Sequence, residues 1–117
     1  MNFDEYQTLA ERTEKPLPTM KERLVHAGLG LATETGEVLT EVKRAAIYGK
    51  AVDISHIKEE LGDILWYIAL AANAMDVSLS AIAEANISKL RARFPEAYSD
   101  AAAEGRADKN GLDARLS

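Results

Sequence analysis

The sequence predicts an all-α protein, an antiparallel bundle of about four helices built from one small domain. Alanine and leucine dominate the apolar residues, with 20 and 13 occurrences against 12 valines and isoleucines combined. The first two are strong helix formers, whereas β-branched residues favour strands. The three prolines lie at positions 16, 18 and 95, which leaves a long stretch free of the strongest helix breaker. A length of 117 residues is typical of one domain and not of two.

The first predicted helix runs from about Phe3 to Thr13. Asn2 and Glu5 have the spacing of a capping box, which satisfies free N–H groups at a helix start. Residues 14–18 then form an extended linker, because each proline in it biases the preceding residue away from helix.

The second predicted helix runs from Met20 to about Ala46. Thr19 and Glu22 form another capping box at its start. Gly49 follows its end and is suited to the left-handed conformation that closes many helices.

The third predicted helix is capped by Asp53 or Ser55 and extends to Met75. Its apolar residues recur at helical spacing and define one stripe: Ile57, Leu61, Ile64, Leu65, Ile68, Ala72 and Met75. Further apolar residues lie outside this stripe: Trp66, Leu70 and Ala74. A helix that is apolar nearly all round is buried on several sides. We therefore expect a second subunit to complete the bundle, as a dimer or a dimer of dimers.

A fourth helix is predicted between its cap, Ser78, and Phe94, since Pro95 cannot continue it. We expect the domain to comprise residues 1–98. The tail, 99–117, is small and polar, so we expect it to be loosely ordered or to pack on a partner subunit.

Composition and charge argue against several classes of function. The chain has no cysteine, and two histidines are too few for a multi-histidine zinc site. A net charge of -5 argues against binding to a nucleic acid polymer or an anionic membrane. The longest uncharged apolar run, Ile64–Ala72, is far shorter than the roughly 20 residues of a membrane span, and the acidic start is unlike a signal peptide. We therefore expect a cytoplasmic protein without a membrane partner.

Carboxylates are concentrated on the second and third predicted helices. The spacing of Glu34, Glu37 and Glu41 places them on one helix face, and Glu60 and Asp63 share a face of the next helix. If these helices pack antiparallel, four of these carboxylates can converge beside the core, where they would repel each other. A bound cation relieves that repulsion, and a site of oxygen ligands alone favours Mg²⁺ or Mn²⁺.

The alternative interpretation is a solvated acidic face, the usual role of charges on a helix. Two glycines argue against it, because Gly36 lies between carboxylates of the second helix and Gly62 between those of the third. Glycine inside a helix costs about 1 kcal/mol relative to alanine. Two such costs at matched positions indicate the close approach of another helix or of a ligand.

Two segments, Glu34-Thr35-Gly36-Glu37 and Glu59-Glu60-Leu61-Gly62-Asp63, resemble the MazG-like all-α nucleotide pyrophosphohydrolases. That family has ExxE on one helix and ExxD on the next. The stretch from Asn86 to Pro95 is similar to the family's third motif, so the likeness covers roughly Leu24 to Pro95. It is greatest to the short stand-alone members of phages and bacteria. One departure is Thr33, where many members have the first of a doubled glutamate.

The resemblance implies a dimeric or tetrameric helical bundle that splits a nucleoside triphosphate into a monophosphate and pyrophosphate. It implies that Mg²⁺, with Mn²⁺ as a substitute, is held by four ligands: Glu34, Glu37, Glu60 and Asp63. We expect Glu37 or Glu41 to orient the attacking water as the catalytic carboxylate. Glu41 is alternatively an ordinary exposed glutamate.

Five further residues are candidates for contact with the substrate. Asn86, Lys89 and Arg93 share one face of the fourth helix and, by the resemblance, contact the phosphates. The alternative for the two cations is compensation of the helix dipole. His26 is a candidate for the base pocket and Trp66 for stacking on the base, against structural roles for both.

The predicted function is Mg²⁺-dependent hydrolysis of nucleoside or deoxynucleoside triphosphates in clearance of nucleotide pools, by a homodimer or homotetramer. One alternative is a sister hydrolase on the same scaffold, acting on dUTP or phosphoribosyl-ATP. Another is a helical interaction module that kept the acidic face without catalysis.

Overall fold

The computed structural model describes residues 1–106 and residue 108. These residues form five helices and no strand, so the predicted all-α class is confirmed for them. The helices are α1 (Phe3–Glu11), α2 (Met20–Tyr48), α3 (Ile54–Ala74), α4 (Leu79–Arg93) and α5 (Asp100–Gly105). They divide into two compact units, the first being Met1–Leu79 and the second beginning at Ser80.

The predicted helix starts are confirmed in the first unit. Asn2 caps α1, where its side chain accepts the N–H of Glu5 and donates to the Glu5 carboxylate at 3.0 Å. Thr19 caps α2, where its side chain accepts the N–H of Glu22. Asp53, rather than Ser55, caps α3.

The predicted helix ends lie within two residues of the observed ends. Gly49 closes α2 as predicted, with φ 65° and ψ 24° in the left-handed region that glycine adopts without strain. The short helix α5 was not among the predicted helices, and it begins after its cap, Ser99. Residues 107 and 109–117 of the predicted tail lie outside the described residues.

In the first unit, α2 and α3 form an antiparallel pair. A short connection joins them, and the contacts between them include Gly30 with Tyr67, Glu34 with Glu60, and Glu41 with His56. Residue numbers rise along α2 as they fall along α3, which defines the antiparallel direction. The arrangement assumed for the carboxylates is therefore present.

The helix α1 packs against α3 as well. A core cluster of buried residues joins them, Ala10, Ala69 and Leu79, with Tyr6, Trp66 and Ile68 packed on it. Leu70 and Ala74 on α3 are also buried within the chain. Of the apolar residues outside the predicted stripe, Leu70 and Ala74 are thus covered without a second subunit, while Trp66 is half-buried.

Gln7 on α1 holds the connection between α3 and α4. Its Nε2 donates to Asn73 Oδ1 at 2.9 Å and to the Val77 carbonyl at 2.8 Å. Its Oε1 accepts the N–H of Leu79 at 2.7 Å, and Asn73 Nδ2 donates to the Gln7 carbonyl at 3.2 Å. One side chain therefore satisfies several polar groups where the chain turns into α4.

Among the described residues, no single helix is long and apolar enough to cross a membrane. The bent pair of α3 and α4, taken together, has the length and apolar composition that a membrane span needs, and this finding rests on length and composition only.

Candidate metal centre

Three carboxylates converge between α2 and α3. Glu34 on α2 and Glu60 and Asp63 on α3 each offer an oxygen within 4.8 Å of the others. The spacing of three residues between Glu60 and Asp63 turns both toward the same side of α3. Glu34 and Glu60 are half-buried and Asp63 is exposed, so the group lies at the edge of the packed helices. The structure therefore brings together three of the four predicted metal ligands.

The pKa values of two of these carboxyls show that negative charge is crowded here. The pKa of Glu34 is raised from 4.5 to about 7, first by its hydrogen bond with Glu60, then by desolvation and by neighbouring negative charges. The same hydrogen bond lowers the pKa of Glu60. A hydrogen bond between two carboxyls needs a shared proton, and a divalent cation bound at the same place would relieve the same repulsion. A set of hard oxygen donors fits Mg²⁺ or Mn²⁺.

Glu37, the fourth predicted ligand, lies beside this group and not within it. Its side chain is exposed, one turn along α2 from Glu34. Its charge is near enough to contribute to the raised pKa of Glu34.

Glu41 lies further along α2 and is buried, with 7% of its side chain exposed. Arg44 Nη1 donates to both of its oxygens at 3.3 Å. His56 Nδ1 contacts Glu41 Oε1 at 3.1 Å. The interpretation of Glu41 as an ordinary exposed glutamate is therefore wrong, and its carboxylate is engaged by two neighbours.

His56 is the residue that the sequence analysis missed. Its two ring nitrogens face two carboxylates, Nδ1 toward Glu41 and Nε2 toward Glu60 Oε1 at 3.0 Å. An imidazole donates from both nitrogens only when it carries both protons. The pKa of His56 is raised, chiefly by its hydrogen bond to Glu60, with the charges of the two glutamates adding to the effect. The available sequence signal was its place four residues before Glu60 on one helix face.

A second set of possible ligand atoms, those of Glu41, Asp53 and His56, also lies within 4.8 Å. Its negative charge is partly compensated, because Arg44 pairs with Glu41 and the raised pKa of His56 favours a cationic imidazole beside it. Asp53 also accepts the His56 N–H as the cap of α3. Among the described residues, the group of Glu34, Glu60 and Asp63 has one basic neighbour, His56 beside Glu60, against two beside Glu41, and it is the better candidate for a metal.

A family model for the MazG nucleotide pyrophosphohydrolase domain matches residues 25–98, which include α3 and both carboxylate segments. The chain belongs to this family. It is also similar to the Gene 37 protein of Mycobacterium phage L5, at 36% identity in an alignment of 76 residues that covers 62% of this chain and 67% of the phage protein. No solved structure matches the chain. Membership in the MazG family implies nucleotide pyrophosphohydrolase activity in general terms, and the family is generally metal-dependent.

Gly36 and Gly62 of the MazG domain are not at a contact between helices. A Cβ added at either position would meet no atom within 4 Å. The expectation of close helix approach is therefore wrong for both glycines within this chain, and close approach by a ligand stays a prediction. The close contact is at Gly30, where an added Cβ would lie 2.1 Å from Tyr67 Cε1.

The two candidate base contacts of the MazG domain, His26 and Trp66, both contact the ring of Tyr67. The rings of His26 and Tyr67 meet edge-on at 5.9 Å, and His26 Nδ1 is buried with no hydrogen-bond partner among the described residues. Trp66 meets Tyr67 edge-on at 5.0 Å and donates its indole N–H to Thr13 at 2.9 Å. These contacts favour a structural role for Trp66, whereas His26 keeps an unused polar atom.

The three candidate phosphate contacts on α4 differ in their surroundings. Asn86 and Lys89 are exposed. Arg93 is half-buried, and its guanidinium pairs with Asp108, with Nε to Oδ1 at 2.8 Å and Nη2 to Oδ2 at 3.2 Å. Contact of these residues with phosphate stays a prediction, and Arg93 would have to exchange or share its present partner to make it.

Proposed function

We propose that this MazG domain hydrolyses nucleoside or deoxynucleoside triphosphates to a monophosphate and pyrophosphate, in clearance of nucleotide pools. The observation that carries the proposal is the convergence of Glu34, Glu60 and Asp63 from two antiparallel helices. These three carboxylates, with Glu37 beside them, would hold Mg²⁺, or Mn²⁺ as a substitute. The raised pKa of Glu34 supports a cation at this place, because the group is crowded with negative charge.

Bound Mg²⁺ polarises phosphoryl oxygens and lowers the pKa of a coordinated water. The carboxylates hold the cation through which an anionic triphosphate is tolerated beside so many negative charges. We assign orientation of the attacking water to Glu37 in preference to Glu41. Glu37 is exposed beside the group, whereas Glu41 is buried and already engaged by Arg44 and His56.

The remaining substrate contacts belong to the same proposal. Asn86, Lys89 and Arg93 would bind the phosphates, where the two cations neutralise charge on the departing pyrophosphate. His26 is the better of the two base candidates, since its Nδ1 is unpartnered while the Trp66 N–H is engaged by Thr13.

We also propose that the domain ends at residue 98, where the family match ends, and that the protein works in the cytoplasm, where nucleotide pools are found. Residues 99–117 then form the proposed tail.

The function is tested by measuring pyrophosphate release from a panel of nucleoside and deoxynucleoside triphosphates, with Mg²⁺ and with a chelator. We expect release with Mg²⁺ and none with the chelator, and the preferred member of the panel names the base and sugar. Inclusion of dUTP and phosphoribosyl-ATP tests the sister activities. A folded chain that releases nothing from any member would contradict the proposal and favour the interaction module.

We further propose that the protein is a homodimer or homotetramer that covers an apolar face of α2. Large apolar side chains are exposed along that helix: Val25, Leu29, Leu39 and Ile47. Leu29 and Ile47 are 66% and 69% exposed, which is unfavourable for side chains of this size left in water.

Light scattering coupled to gel filtration should give a molar mass two or four times the 12.7 kDa of one chain. Leu29→Glu should lower that mass, because it places a charge on the covered face, while Glu22→Gln near the exposed start of α2 serves as the control. A wild-type mass equal to one chain at all concentrations would show that the face is not covered.

A further inference from the structure

His56 joins two helices through two carboxylates of different character. Glu41 on α2 is buried, and both of its oxygens accept from Arg44. Glu60 on α3 belongs to the candidate metal centre, and 13% of its side chain is exposed. The imidazole contacts one oxygen of each, at 3.1 Å and 3.0 Å. It therefore bridges the interior of the helix pair and the metal centre.

We propose that His56 is a positioning residue, which fixes the Glu60 carboxylate for metal binding by anchoring it to the buried Glu41. This inference rests on the proposed function, since it takes Glu60 as a metal ligand.

The anchor is built from both ends. The backbone N–H of His56 donates to the Asp53 side chain at 3.0 Å, which fixes the first turn of α3. Arg44 holds Glu41, and Glu41 in turn faces His56 Nδ1. The ring cannot turn away from Glu60 without losing its contact with Glu41 as well. A single rotamer of His56 therefore serves both helices.

Glu60 needs such an anchor because its other neighbours in the candidate metal centre are also acidic and cannot fix its carboxylate once they are ionised. Glu34 and Asp63 lie within 4.8 Å and are acidic, and a glutamate has several rotatable bonds. The contact with His56 engages Oε1 of Glu60. Removal of a residue that orients a metal ligand typically weakens metal binding by about 10–100-fold.

The test compares three substitutions of His56 by titrating the full chain with Mn²⁺ alone and measuring free Mn²⁺ by electron paramagnetic resonance. Glutamine places an amide N–H near the position of Nε2 and keeps the contact with Glu60. Asparagine places one near Nδ1 and keeps only the contact with Glu41. Leucine keeps neither. Thermal unfolding of each variant without metal is the control for folding.

We expect His56→Leu and His56→Asn to bind Mn²⁺ about 10-fold more weakly than wild type, and His56→Gln to stay within about 3-fold of it. With Mg²⁺ and substrate, the Mg²⁺ concentration for half activation should rise in the same order, while kcat at saturating Mg²⁺ falls less. A role confined to stability would not separate glutamine from asparagine in this way.

The inference is overturned if His56→Leu binds Mn²⁺ as tightly as wild type, if glutamine does no better than asparagine, or if wild type binds no Mn²⁺. Should the leucine variant fail to fold, the glutamine and asparagine pair decides alone. Wild type that binds Mn²⁺ with the expected order but releases no pyrophosphate would uphold the positioning role and refute the proposed function. Pyrophosphate release with Mn²⁺ affinity independent of His56 would do the reverse.

Discussion

Glu60→Gln should lower kcat/KM for pyrophosphate release by at least about 100-fold, because it removes a proposed metal ligand and not merely a partner of one. Glutamine keeps the size of the side chain but has a neutral amide in place of the carboxylate. The variant should also lose Mn²⁺ binding in the titration used for wild type. Both measurements are made at a pH near neutrality, where the lowered pKa of Glu60 leaves the wild-type carboxylate ionised.

Glu59→Gln is the matched control for Glu60→Gln. It makes the same chemical change one residue earlier, on an exposed side chain that points about 100° away around α3. We expect its activity and Mn²⁺ affinity to stay within a few-fold of wild type. Equal losses in both variants would mean that overall charge, and not a specific ligand, controls the activity.

Without metal, the Glu60→Gln variant should be modestly less stable than wild type. The hydrogen bonds with Glu34 and His56 lower the pKa of Glu60, so they favour its ionised form in the folded protein, and the neutral amide lacks that charge. Lost activity and lost Mn²⁺ binding in a variant that remains folded at the assay temperature would separate the metal role from a structural one. A variant that keeps wild-type activity would show that Glu60 is not required, and the metal would then have to be held by other residues.

Features that depend on a few neighbouring residues could be predicted from the sequence. The caps Asn2, Thr19 and Asp53 act on an N–H three residues away, and Gly49 closes α2 through its own backbone conformation. The pairing of carboxylates also followed from local spacing, since three residues along a helix fix a shared face.

Features that depend on the register of two helices could not be predicted from the sequence. His56 meets Glu41 only because the antiparallel alignment of α2 and α3 brings these two residues together. Its contact with Glu60, four residues along the same helix, could be predicted from the spacing. Trp66 reaches Thr13 across 53 residues of sequence, so its engaged indole N–H could not be inferred from the pattern of α3.

Glycine shows the same difference most directly. Gly36 and Gly62 lie among carboxylates in the sequence, yet an added Cβ at either would meet nothing within 4 Å. Gly30 lies in α2 with Gly36 but has no carboxylate beside it in the sequence. Its role depends on Tyr67, which only the paired helices bring against it.

Gly30→Ala should therefore destabilise the protein, by about 2 kcal/mol, despite the helix preference of alanine. The new Cβ would lie 2.1–2.4 Å from three atoms of the Tyr67 ring, well inside van der Waals contact. That ring makes edge-on contacts with His26 and Trp66, so we expect its displacement to disturb both contacts. Overpacking of this kind costs about 1–3 kcal/mol or more, against a gain of up to about 1 kcal/mol from replacing a helical glycine. Chemical denaturation at fixed protein concentration measures the difference.

Gly28→Ala, in the same helix, should change the stability in the opposite direction, because its added Cβ would meet nothing within 4 Å. It should raise the free energy of unfolding by up to about 1 kcal/mol. Tyr67→Ala removes the ring and should make the Gly30 substitution tolerated, so the double variant is more stable than the sum of the single changes predicts. If Gly30→Ala is as stabilising as Gly28→Ala, or if Tyr67→Ala gives no such coupling, α2 and α3 are not packed as closely at this level as the structure has them.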